Sequence, residues 1–147
     1  MSGRALRATL ALAALAACTP ENGPTMRPGE DCLRCHGGSP ASGGGEEERA
    51  TPWSLAGTVY AAPGADASAG IEGAAVQVTD ANGFAFTLTS NLVGNFYSAE
   101  TVAFPIRVCV ARGGAVRCME SPSPHGACNA CHALPPQGNA EGRIAAP

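Results

Sequence analysis

Two short segments of this 147-residue chain carry cysteine and histidine at the same spacing. Residues 32–36 (the first motif) and residues 128–132 (the second motif) both read Cys-x-x-Cys-His, the spacing at which c-type haem is attached. The two thiols can reach the two vinyl groups on one porphyrin edge and form thioethers, and the histidine can then ligate the iron. The sequence therefore predicts two covalently bound haem c groups. The residues assigned are Cys32, Cys35, Cys128 and Cys131 as thioether ligands, and His36 and His132 as proximal iron ligands.

A second iron ligand is harder to assign, because the chain has only three histidines. The remaining one, His125, is too close to the second motif to reach easily over that haem. We predict that it ligates the haem of the first motif if the two motifs converge; a solvent-exposed loop histidine is the alternative. Met26 and Met119 are candidate thioether ligands, of which Met119 fits a core position better. At most one iron can therefore have two histidine ligands.

Haem attachment takes place after export, and the N terminus predicts export. A short basic region precedes residues 8–17, an apolar run too short to cross a bilayer as a mature helix but typical of a secretory signal. The run ends in Leu15-Ala16-Ala17-Cys18, which resembles the lipobox of bacterial lipoproteins. The resemblance implies a signal peptide of residues 1–17, lipidation of Cys18, and a membrane anchor at the bacterial cell envelope, on a periplasmic or outer-membrane face. An ordinary signal peptide with an unrelated cysteine is the alternative.

The mature chain is acidic. Removal of residues 1–17 takes away two arginines, which changes the formal net charge from −3 to −5, and the sequence contains no lysine. Nucleic acid is not an expected partner, because its phosphates require basic surface. Residues 18–31 contain three prolines and no apolar periodicity, which predicts a lipid-anchored tether. Residues 32–51 combine the first motif with a glycine-rich, acidic loop expected to be flexible.

Residues 52–120 have the pattern of a β-sandwich. Apolar and polar residues alternate within 74–80 and 84–89, and turn-forming residues follow at 80–83 and 92–95. Short strands separated by such turns are typical of antiparallel sandwiches. The strands are predicted at 54–60, 74–80, 84–89, 95–98 and 105–111.

One stretch of this region resembles a known family. Residues 73–80, Gly-Ala-Ala-Val-Gln-Val-Thr-Asp, are followed by Gly83, by Thr-Ser-Asn at 89–91 and by Gly-Asn-Phe at 94–96. This pattern is similar to that of the carboxypeptidase regulatory-like (transthyretin-like) β-sandwiches. The resemblance covers roughly residues 54–112 and implies a seven-stranded Greek-key sandwich without catalytic residues of its own. The chain departs from the family pattern at its far end, where it runs into Cys109, Cys118 and the second motif. Residues 121–147 carry the second motif and a C-terminal tail.

Two further cysteines flank a predicted hairpin turn at Gly113-Gly114. A two-residue turn there pairs Arg112 with Ala115, and counting outwards pairs Cys109 with Cys118. By alternation this outer pair is a close one without backbone hydrogen bonds, at a separation that suits a disulfide. Export permits oxidation, so we predict a Cys109–Cys118 disulfide, with two buried free thiols as the alternative.

The combined pattern resembles a dihaem c-type cytochrome lipoprotein, mainly β, with an antiparallel Greek-key sandwich flanked by two short haem-binding segments. The favoured function is electron transfer with an unidentified redox partner protein, and no catalytic residue is assigned. A dihaem enzyme with one open iron is a second possibility. A third is a haem-free surface lipoprotein in which a binding sandwich is accompanied by structural zinc or disulfides at the Cys-x-x-Cys pairs.

Overall fold

The computed structural model of the protein describes residues 23–38 and 52–147. The predicted signal peptide, Cys18 and most of the predicted acidic loop lie outside these residues. The described chain is mainly β, with two single-turn helices. The elements are α1 (Leu33–His36), β1 (Leu55–Tyr60), β2 (Ala75–Thr79), β3 (Ala85–Thr89), β4 (Asn95–Ser98), β5 (Arg107–Arg112), β6 (Ala115–Cys118), α2 (Cys128–Cys131) and β7 (Ile144–Ala145).

The strands form two sheets. One has four strands in the order β3-β2-β5-β6, all antiparallel, and the other has three strands in the order β4-β1-β7. In the smaller sheet β1 is antiparallel to β4, and β7 joins the other edge of β1 in a short parallel pairing. The prediction of a mainly β, largely antiparallel fold is confirmed, and β1 to β5 lie within two residues of the predicted strands. The finer Greek-key assignment stays a prediction.

Both sheets contribute to one hydrophobic core. The alternating residues of β2 and β5 point their apolar side chains inwards, as the sequence pattern predicts. β1 is buried along its whole length, because it lies between β4 and β7 and is covered on both faces. The core residues are Leu55, Val59, Ala74, Val76, Val78, Phe96, Ile106, Val108 and Val110.

The turn after β2 is organised by Asp80. Its Oδ1 accepts hydrogen bonds from the backbone N–H groups of Asn82 and Phe84, and its Oδ2 accepts one from Ala103. These bonds, the one from Ala103 first, lower the pKa of the carboxyl group because they stabilise its charged form. The predicted turn at residues 80–83 is therefore held by a side chain that also ties β2 to the loop before β5.

The hairpin of β5 and β6 has the predicted register. Arg112 pairs with Ala115 and Cys109 with Cys118, and both turn glycines have positive φ, which suits a two-residue hairpin loop. The structure contains a disulfide bond between Cys109 and Cys118, whose Cα atoms are 3.9 Å apart. The bond links the edge strand β6 to the centre of the four-stranded sheet.

Two segments outside the predicted sandwich contact the three-stranded sheet. Residues 24–30, predicted as part of a tether, lie on the small sheet, where their backbone groups bond to Asn95, Thr58 and Asn129. Proline-rich composition excludes regular secondary structure but does not prevent such irregular docking. The C-terminal tail is also part of the sheet, because β7 adds a strand beyond the predicted limit at residue 120.

Candidate functional site

Each motif folds as one turn of helix. In the first motif the His36 N–H donates to the Cys32 carbonyl, and in the second the His132 N–H donates to the Cys128 carbonyl, both at 2.9 Å. Residues three apart on a helix lie on the same face, so each turn directs its two thiols to one side. All four motif cysteines are free thiols, unlike Cys109 and Cys118. This donor set fits the two thioether bonds that one porphyrin edge requires.

The second motif lies along the edge of β1. The N–H of Ala56 donates to the Gly126 carbonyl at 3.0 Å, and two residues later the N–H of Thr58 donates to Oδ1 of Asn129 at 3.0 Å. The next residues of β1 then pair with β7. The motif therefore lies beside Ala56 and Thr58, on the part of the β1 edge next to the part that pairs with β7. These bonds fix the position of the motif relative to the sheet.

Asn129, one of the two variable residues of the second motif, is almost fully buried. Its Nδ2 donates to Oγ1 of Thr58 at 3.0 Å and to the carbonyl of Glu30 at 2.9 Å. Glu30 lies two residues before the first motif. One side chain therefore links the second motif to both β1 and the approach to the first motif, and the two motifs lie side by side.

Thr58 is the centre of this arrangement and is completely buried. Its hydroxyl donates to Oδ1 of Asn95 at 2.8 Å and accepts from the N–H of Gly29 at 2.9 Å as well as from Asn129. One donor and two acceptor sites are all that a hydroxyl has, so its hydrogen-bonding capacity is filled. Sequence reasoning missed both Thr58 and Asn129. The only signal in the sequence was a polar threonine within a predicted strand of mostly apolar residues.

Asn95 continues the network towards Met26. Its Nδ2 donates to the Met26 carbonyl at 2.9 Å and to that of Pro24 at 3.3 Å. Met26, a candidate distal ligand, is thus held through its backbone on the three-stranded sheet, with its side chain half-buried. The segment before the first motif is a defined part of the site rather than a linker.

One thiol of each motif has a raised pKa. Burial raises the pKa of Cys128 to about 12, with further contributions from the nearby Cys32 and Cys131. The pKa of Cys32 is also raised, first by burial and then by the charge of Asp31. Cys128 packs against the core beside Gly57 and Phe96. Both thiols are therefore protonated at neutral pH.

His132 is oriented by the segment that leads into β7. Its Nδ1 lies 2.8 Å from the carbonyl oxygen of Gly142, so Nδ1 carries the proton and donates it to that bond. Nε2 is then the nitrogen available to a metal, in the manner of metal-ligating histidines whose second nitrogen bonds to a carbonyl. The neighbouring Arg143 holds the segment in place, because its guanidinium lies over the Tyr60 ring, 4.5 Å from the ring centre, and donates to the Tyr60 hydroxyl.

His36 is held differently. Its ring stacks on Trp53 with the centroids 4.3 Å apart, and Trp53 stacks on Tyr97 at 4.2 Å. The N–H of Trp53 also donates to the His36 carbonyl at 2.9 Å. The first motif is therefore attached through an aromatic stack to the segment just before β1 and to Tyr97 of β4.

The other two candidate ligands lie apart from this stack. His125 is exposed, in a turn where the Ser123 hydroxyl bonds to the His125 carbonyl at 2.6 Å. The next residue, Gly126, packs against Ser54 just before β1, and Ser54 directly follows Trp53, on which His36 stacks. Met119 packs against the core, which is the position that its sequence context favoured.

Several negative observations concern the described residues. Residues 23–38 and 52–147 contain no cluster of three or more His, Cys, Asp or Glu side chains placed to hold a metal ion. Within the same ranges, neither helix has the length and apolar character needed to span a membrane.

Comparison with protein-family models, with curated proteins and with solved structures found no match to this chain.

Proposed function

We propose that this chain is an exported dihaem c-type cytochrome that carries electrons at the bacterial cell envelope. The observation that carries the proposal is the pairing of two complete Cys-x-x-Cys-His turns with all four thiols free, the second along the edge of β1 and joined through Asn129 to the segment that leads into the first. A β-sandwich of the carboxypeptidase regulatory-like kind would serve as the scaffold, and the two-sheet architecture supports that part of the proposal. The protein would act as a carrier, without catalytic side chains.

The residues of the chain would each have a defined role towards the haems. The thiols of the first motif would hold one group and those of the second motif the other, while His36 and His132 would ligate the irons. The haem itself supplies one-electron redox chemistry when bound. The hydrogen bond from His132 to Gly142 fixes the tautomer and makes Nε2 a stronger base, whereas stacking on Trp53 orients His36.

The distal ligand of the first haem is proposed to be His125. Its neighbour Gly126 contacts Ser54, which follows Trp53 directly in the chain, and Trp53 stacks on His36. Replacement of His125 by Ala would then remove a low-spin electron paramagnetic resonance signal from the first haem only. A change confined to the haem of the second motif would defeat this assignment.

The cell-envelope location rests on the sequence of residues 1–18, which resembles a lipoprotein signal. Lipid on Cys18 would hold the acidic domain at a membrane face, where it could meet a redox partner protein. Acyl chains contribute about 0.8 kcal/mol for each buried CH₂ group, so a multiply acylated cysteine anchors stably.

The test is a pyridine haemochrome spectrum of the protein matured together with haem-attachment machinery. We expect the c-type spectrum at two haems per chain. Cys35→Ser and Cys131→Ser should each reduce firm attachment at one site only. A haem-free protein that binds zinc would instead support the binding-lipoprotein alternative and contradict the cytochrome proposal.

A further inference from the structure

Asn129, one of the two residues between the cysteines of the second motif, does more than space them. A Cys-x-x-Cys-His motif needs its cysteines and histidine for attachment, and that chemistry does not require either intervening residue to be buried. Here Asn129 is 3% exposed and uses both ends of its amide. Its Oδ1 accepts from Thr58, and its Nδ2 donates to Thr58 and to Glu30.

We propose that Asn129, together with Thr58, is a positioning pair that fixes the two attachment motifs relative to each other and so couples the two haems. This inference rests on the proposed function and deepens it. Asn129 belongs to the second motif, and its Nδ2 donates both to the buried Thr58 hydroxyl and to the Glu30 carbonyl, which belongs to the approach to the first motif.

The network is well suited to this role because its members are buried and mutually saturated. Gly29, immediately before Glu30, donates its N–H to Thr58 at 2.9 Å, and Asn95 accepts from the same hydroxyl. Buried polar groups that lose a partner carry a desolvation penalty. A shift of either motif would leave several such groups unpaired at once, so the separation and orientation of the motifs are tightly restrained.

The test uses Asn129→Asp, which keeps the shape and the acceptor for Thr58 but loses the two bonds donated by Nδ2. Asn139→Asp is the matched control, because Asn139 is exposed in the C-terminal tail. In the holoprotein, both variants should retain two covalent haems. We expect the Soret circular-dichroism couplet, which reports on the coupling of two nearby haems, to fall to less than half in Asn129→Asp and to stay unchanged in the control.

A second readout does not depend on haem. In the apoprotein, amide hydrogen exchange at residues 24–31 should accelerate about tenfold in Asn129→Asp, since the bond that closes this segment is lost. Thr58→Ser keeps the hydroxyl and should exchange like the wild type, whereas Thr58→Val should resemble Asn129→Asp. If Asn129→Asp does not fold, these Thr58 variants still test whether the Asn129–Thr58 pair restrains residues 24–31.

The outcomes separate the two proposals. A wild-type protein without covalent haem would refute the cytochrome function, and the exchange experiment would still judge the positioning pair. Two haems with an unchanged couplet in Asn129→Asp, or unchanged exchange at residues 24–31 in both Asn129→Asp and Thr58→Val, would overturn the inference.

Discussion

The contact between Gly57 and Cys128 gives the most quantitative prediction for the site. Gly57 lies in the middle of β1, opposite Phe96 of β4. A Cβ atom added to it would lie 2.6 Å from Cζ of Phe96 and 2.9 Å from Cβ of Cys128. Both neighbours belong to packed regions, so Gly57→Ala must displace the ring, the second motif or both.

The size of the effect follows from two opposed terms. Forcing an extra methyl group into a packed core costs about 1–3 kcal/mol. The smaller conformational freedom of alanine in the unfolded chain offsets about 0.4–1 kcal/mol of this. We therefore expect Gly57→Ala to lower the free energy of unfolding by about 1–2 kcal/mol. For a domain of this size, that corresponds to a fall in Tm of roughly 4–10 °C.

Urea denaturation of the apoprotein with the Cys109–Cys118 disulfide intact measures this change. Gly64→Ala is the matched control, because Gly64 is exposed and a Cβ there would meet nothing within 4 Å; its stability should stay the same or rise slightly. In the holoprotein, Gly57→Ala should also reduce covalent attachment at the second motif while sparing the first. A Gly57→Ala protein as stable as the wild type would refute the described packing of Cys128 against β1.

Three further predictions concern other parts of the chain. Because burial raises the pKa of Cys128 to about 12, its thiolate fraction at pH 7 is about three orders of magnitude below that of a free thiol. Iodoacetamide should therefore modify Cys128 very slowly in the folded apoprotein, and faster as the pH rises. Rapid modification at pH 7, measured by peptide mass, would contradict this. The lowered pKa of Asp80 means that its carboxylate stabilises the fold above the unfolded pKa of about 3.9 and that this contribution is lost as the pH falls through the lower folded value. Asp80→Asn should thus lower Tm at pH 7, and the difference in Tm from the wild type should shrink as the pH falls below about 3.9. A difference in Tm that does not depend on pH would argue against this. Cys18→Ser should release the protein from membranes, and its retention after salt and mild alkali washes would rule out lipid as the sole anchor.

The strands were predictable because their signals are local. Alternating residues such as Val76 and Val78 define which face of β2 is buried, and Asp80 marks the turn that follows. The hairpin register followed from counting outwards from two glycines. Each of these inferences depends on side chains a few residues apart, which a sequence displays directly.

The junction between the motifs was not predictable, because it depends on contacts between distant residues. Asn129 bonds to a backbone carbonyl 99 residues away, and every residue has a carbonyl, so no residue type at position 30 indicates the partner. β7 is only two residues long, too short to show alternation. The docking of residues 24–30 likewise uses backbone groups that composition does not reveal.

The number of haem groups attached to the mature chain decides whether it is a dihaem cytochrome. The measurement is the intact mass of the exported protein after denaturation, with Cys35→Ser and Cys131→Ser analysed in parallel. We predict the mass of the processed polypeptide plus two haems for the wild type. A wild-type mass without haem, from cells whose attachment machinery loads a control cytochrome, would contradict the account.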